Sequence, residues 1–131
     1  MLNKYLIFLT LVCGFLWGFH EALHNGSYLR YLDQHPHRIY TPPVLYYTGF
    51  TYGLLQNLEQ AATYYIRITE KFPDSPYADD SYFEYLQTLD ERMALPRNQL
   101  AEEFEKYLEK FPHGNHEAVV RNRISMFRTG P

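Results

Sequence analysis

The chain has 131 residues, a formal net charge of −3 and a single cysteine, Cys13. That length holds one ordinary domain or a short repeat array. The charge leaves no basic stripe to meet phosphates and excludes a nucleic-acid role, while one cysteine excludes an intramolecular disulfide, a cysteine-rich metal site and a c-type haem attachment. Thirteen Tyr and nine Phe are many for this length. At helical spacing such rings pack hairpins together or, in fewer cases, line a binding groove.

In chain order, residues 1–4 make a short, singly basic start, and residues 5–19 (YLIFLTLVCGFLWGF) follow without a charge. Fifteen helical residues span roughly 22 Å, short of a ~30 Å hydrocarbon core, which fits a signal-peptide core or a signal anchor that borrows its flanks. Signal peptidase wants small residues three and one before its cut, and only Val12-Cys13-Gly14 offers them, inside the apolar run. Thr10-Leu11-Val12 also lacks the small residue expected before a lipidated Cys13. The sequence therefore predicts an uncleaved membrane anchor over residues 1–24. Lys4 would stay on the cytoplasmic side and residues 25–131 outside, in the periplasm if the cell is bacterial. The alternative is a buried helix of a soluble domain, against which Phe15, Trp17 and Phe19 make the segment apolar all round.

From His20 to Gln34 the chain continues helical, with a weak point at Asn25-Gly26-Ser27. Corners follow at His35-Pro36-His37, Phe72-Pro73-Asp74-Ser75-Pro76 and Phe111-Pro112-His113-Gly114. A proline cannot donate an i→i−4 bond and pushes the residue before it out of the helical region, so each corner ends a helix. Pro36, Pro73 and Pro112 are 37 and 39 residues apart, the period of stacked helical hairpins. Between the corners the predicted helices are Val44–Leu55 with Thr41 as cap, Leu58–Phe72, Pro76–Met93 with Ser75 as cap, Gln99–Phe111 and Glu117–Phe127. No stretch alternates as a strand would. Asp79 and Asp80 fall near the positive end of their helix dipole.

Tyr64–Pro73 (YYIRITEKFP) lies over Glu103–Pro112 (EFEKYLEKFP), both ending in EKFP. In the first hairpin Gly49, Tyr52, Ala61, Tyr65, Ile68 and Pro73 match the spacing of small, aromatic and proline positions in tetratricopeptide repeats. The chain thus resembles the tetratricopeptide-like family over roughly residues 28–127. The 37-residue spacing and the FPDSPYADDS corner look most like its bacterial envelope subgroup, which holds the Tol-Pal coordinator proteins and the barrel-assembly lipoprotein BamD. The resemblance implies an all-α array of about two and a half helical hairpins that binds other proteins. Leu86 and Ser125 stand where Gly49 does, and Leu100 where Ala61 does, so the second hairpin is expected to be looser. The array opens and closes on an unpaired helix. The last one carries Val119, Val120, Ile124, Met126 and Phe127, which either meet a partner (another subunit or a second copy) or fold back on the preceding hairpin.

His20-Glu21-Ala22-Leu23-His24 fits H-E-x-x-H, in which two His on one helix face hold zinc and the Glu is general base. No downstream motif supplies a third ligand, and Ser27 stands where the longer metzincin motif needs glycine. His113 and His116 lie at an exposed corner, and the charges from Glu102 to Lys110 read as a solvated helix face. No phosphate loop, Ser/His/Asp set or Cys/His pair is present, so no catalysis and no cofactor are expected. The sequence predicts a membrane-anchored scaffold or small accessory subunit of a membrane complex, with the zinc protease of His20, Glu21 and His24 as the alternative. Candidate partner-binding residues are Tyr46, Tyr47, Phe50, Phe83 and Gln87 on first helices, which line the concave face of such arrays, and Ile124 and Phe127 on the last helix. Internal packing is the competing role for all seven.

Overall fold

The structure, a computed structural model, describes residues 2–130, with side chains from Tyr5 onward. Among the described residues it is all helical: α1 Leu2–His24, α2 Ser27–Gln34, α3 Thr41–Leu54, α4 Leu58–Lys71, α5 Ala78–Glu91, α6 Arg97–Lys110 and α7 Glu117–Thr129. The chain divides into two compact units, residues 1–37 and 38–131. This division falls at the Pro36 corner, after α2.

In the first unit α1 runs on past Phe19 to His24. The apolar stretch Tyr5–His24 has 20 residues, about 30 Å of helix, so it is long and apolar enough to cross a membrane or act as a signal anchor. None of it is buried within the protein, unlike the core helix of a soluble domain. Gly26 takes a left-handed conformation (φ 72°) that breaks α1 from α2 at the predicted weak point. α2 then returns to α1 through Tyr28, whose ring meets Phe19 edge-on at 5.4 Å.

The second unit is a run of consecutive packed helices joined by short links. The repeat is written in its backbone hydrogen bonds. After α3, Gln56 N–H donates to Gly53 O and Asn57 N–H to Tyr52 O (both 2.9 Å). After α5, 37 residues on, Met93 N–H donates to Asp90 O and Ala94 N–H to Leu89 O (both 3.0 Å). Each is a Schellman-type stop, with Gln56 (φ 59°) and Met93 (φ 49°) in the left-handed region. The α4–α5 corner is held by Ser75 N–H to Phe72 O and Ala78 N–H to Ser75 O (both 2.9 Å). At the α6–α7 corner Gly114 N–H bonds Phe111 O (3.0 Å) and Glu117 N–H bonds Gly114 O (3.2 Å). The two corners therefore superpose bond for bond.

Two predicted caps move. Thr41 is the first helical residue and Tyr40 holds the cap position; Pro42 and Pro43 then fall where a helix has no use for their missing N–H groups. Ser75 caps a turn rather than a helix: its Oγ accepts from Tyr77 N–H (3.2 Å), and α5 starts at Ala78. Asn57 caps α4 by accepting from Gln60 N–H (3.3 Å).

The packing differs between the hairpins as the small-residue pattern predicted. A Cβ on Gly49 would meet the Tyr65 ring at 3.0 Å and Tyr64 Cβ at 3.3 Å, so α3 and α4 touch almost backbone to backbone. Leu86 and Leu100 keep α5 and α6 further apart. The space between them is filled, not empty, by Tyr82, Phe104 and Tyr107, with Val120 and Ile124 of α7 completing the same core. α7 folds back on this hairpin.

Candidate interaction groove

The first helices of successive hairpins, α3, α5 and α7, border two adjoining clefts. Between α3 and α5 lies a cleft of about 240 Å³, walled by Phe50, Gly53 and Leu54 on one side and by Glu84, Gln87, Thr88 and Glu91 on the other, with Tyr65 beneath. A smaller one, about 50 Å³, lies between Phe83, Gln87 and Glu91 of α5 and Val119 and Arg123 of α7. Gln87 and Glu91 border both. Ligand pockets for whole small molecules run from about 300 Å³ upward, so these clefts suit side chains of a partner rather than a cofactor.

Of the residues expected here, Phe50 and Gln87 stand on the cleft walls. Tyr47 is 60% exposed, and its ring meets Tyr46 and Tyr77 edge-on at 5.6 and 6.3 Å. Tyr46 is half-buried between Tyr65 and Tyr77. Burial, and then the charges of Glu84 and Asp80, push its hydroxyl above the ordinary range. Phe83 belongs to the core and lies flat under His116, ring centres 4.0 Å apart. Ile124 is likewise core, and Phe127 packs edge-on against Phe104 at 5.4 Å. Phe83, Ile124 and Phe127 thus pack in or against the core, Phe83 also bordering the smaller cleft; the large apolar side chains that α7 leaves open are Val119 and Met126.

Sequence reasoning overlooked Leu54, Glu84 and Glu91. A signal was there: no charge occurs between Ile39 and Leu58, while α5 carries Asp80, Glu84 and Glu91 at helical spacing. Glu84 is held above the usual carboxylate range chiefly by burial; His116 offsets this, and Asp80 and Glu91 add to it. Because the folded pKa is raised, the folded protein binds an extra proton just above the ordinary glutamate range. Stability is greatest below that range and falls as pH rises through the raised value. Glu84→Gln is therefore expected to melt higher than wild type at pH 7, the gain vanishing below about pH 4. Paired thermal melts at the two pH values check this.

His116 has a structural role at its corner. Besides stacking on Phe83 it donates from Nε2 to Asp80 Oδ1 (2.9 Å). Beside it the Tyr107 hydroxyl donates to Asp79 and accepts from His116 N–H (3.2 Å), while Asp79 Oδ2 accepts from Asn115 N–H (2.7 Å). Asp79 and Asp80 thus tie the start of α5 to the corner before α7.

His20 and His24 lie on one face of α1, rings 6.1 Å apart and exposed along with Glu21. Among the described residues no group of three or more His, Cys, Asp or Glu side chains is placed to hold a metal ion. No protein-family model matches the chain, and no curated protein matches it.

Proposed function

We propose that the chain is a membrane-anchored protein–protein interaction module, a scaffold or small accessory subunit of a membrane-associated complex, built on a short tetratricopeptide-like array outside the cytoplasm. The observation that carries this is the groove between α3 and α5, where half-exposed Phe50 and exposed Leu54 of one hairpin face α5 of the next. Exposed rings held on rigid helices are what partner proteins use as anchors, because little side-chain entropy is lost on docking. The apolar α1 supports a membrane attachment, and the hydrogen-bond repeat at the turns and corners supports an array of like hairpins.

The test is extraction of the full chain in mild detergent followed by native mass spectrometry. The expected result is a particle of fixed stoichiometry containing a second protein, which Phe50→Asp releases. A lone monomer from the wild-type chain would overturn the proposal. The competing zinc protease of His20, Glu21 and His24 is separated by Glu21→Gln: an interaction module keeps its partner and its cellular role in that variant, whereas a zincin loses its general base.

A further inference from the structure

The α3–α5 cleft has one chemical bias. Its α3 wall carries no charge, since none occurs from Ile39 to Leu58. Its α5 wall carries Glu84 and Glu91. Neighbouring basic groups are engaged elsewhere: Arg123 donates to Asp90 (3.1 Å), Arg92 lies 3.9 Å from Glu59, and the His116 ring is bonded to Asp80. Neither Glu84 nor Glu91 has an ion-pair partner among the described residues. The result is a cleft of side-chain volume with an aromatic wall on one side and, on the other, two carboxylates outside any ion pair among the described residues.

We infer that the partner enters this cleft with basic side chains, an arginine foremost, presented by a segment whose apolar residues cover Tyr47 and Leu54. This rests on the groove being the partner-binding surface. The shape favours arginine: its planar guanidinium stacks on a ring such as Phe50 while its N–H groups reach a carboxylate, which a lysine ammonium does less well. Glu84 and Glu91 stand seven residues apart on one helix, roughly 10 Å, so a second basic residue at matching spacing serves the outer carboxylate. The burial that raises Glu84 also fits, because a cation delivered by the partner removes the cost of keeping that carboxylate charged. An acidic segment would meet like charge in a half-buried site and be rejected.

The experiment compares three variants of the full chain in the extracted particle: Phe50→Asp, Glu84→Gln/Glu91→Gln, and Glu84→Lys/Glu91→Lys. The fraction of chain carrying the partner is followed by native mass spectrometry against ammonium acetate concentration. The double Gln variant keeps side-chain shape, and circular dichroism at matched concentration verifies its fold. The expected result is a salt-sensitive wild-type particle, about tenfold weaker association in the double Gln variant, and no association in the double Lys variant. Release by Phe50→Asp with the double Gln variant as tight as wild type would overturn the cationic partner and leave the groove standing. Retention of the partner in all three variants would overturn both.

Discussion

Replacing Asp79 by alanine is expected to destabilise residues 38–131 by roughly 2–3 kcal/mol. The carboxylate accepts from the Tyr107 hydroxyl and from Asn115 N–H, and so closes the α6–α7 corner onto the first turn of α5. Tyr107 is fully buried. Burial, and then the hydrogen bond to Asp79, push its hydroxyl well above the ordinary range, so it remains the donor wherever the protein is folded. With Asp79 gone that hydroxyl loses its acceptor in a site water does not readily reach, and the desolvation penalty is felt in full. For a unit of this size the melting temperature should fall by about 10–20 °C. Tyr107→Phe keeps the ring and removes the donor, and should cost only about 1 kcal/mol. The double variant Asp79→Ala/Tyr107→Phe should then cost clearly less than the two singles together, because the penalty in the first is the stranded hydroxyl. Denaturant melts of the four proteins measure this. Strict additivity would mean that Asp79 acts independently of Tyr107, through Asn115 N–H and the α5 dipole. The effect should also be local in origin, with amides of Val120 and Ile124 exchanging first, since α7 is the element that the corner positions.

The same corner shows what the sequence made legible and what it did not. Pro73 and Pro112 told where the helices stop, because proline acts on its own neighbours and needs no tertiary context. The hydrophobic period told which helices pair, and buried Ala61, Tyr65, Ile68, Leu86 and Phe104 lie where it put them. The stops near Gln56 and Met93 were placed where the helical pattern breaks, but their left-handed geometry carried no signal of its own, since such a residue is expected to be Gly or Asn and neither is. Asp79 looked like an ordinary helix-dipole residue. Its partners Tyr107 and Asn115 lie 28 and 36 residues on, and only the way the hairpins lie against each other brings them together. The acidic stripe holding Glu84 was legible on α5, but its burial was not, because a carboxylate on a helix reads as solvated until the neighbouring hairpin is placed over it. The end of α1 was legible, because His20 and Glu21 continue the helix without any breaking residue and Gly26 then stops it at the weak point the sequence showed.

Gly49→Leu tests the asymmetry between the hairpins and should be the more damaging of two glycine changes on one helix. Leucine is what the second hairpin carries at this position, as Leu86, so the side chain is compatible with the fold type. It is not compatible with this pair of helices. Even a bare Cβ at position 49 comes to 3.0 Å from Tyr65 Cε1, 3.1 Å from Tyr65 Cδ1 and 3.3 Å from Tyr64 Cβ. Tyr65 cannot swing away, being buried and packed against Tyr46, and Tyr64 Cβ moves only with the α4 backbone. The helices must separate. Overpacking of this kind costs roughly 3 kcal/mol, against about 1 kcal/mol returned by removing a glycine from a helix interior. Gly53→Ala, one turn further on, supplies the control. A Cβ there meets nothing within 4 Å, so only the backbone benefit remains and the variant should be more stable than wild type by a few tenths to about 1 kcal/mol. Opposite signs at Gly49 and Gly53 in urea melts would establish that α3 is held by close approach at one glycine only. The groove supplies a second readout. Parting α3 from α4 moves Phe50 relative to Glu84 across the cleft, so Gly49→Leu should weaken partner association even under conditions where the fold is retained.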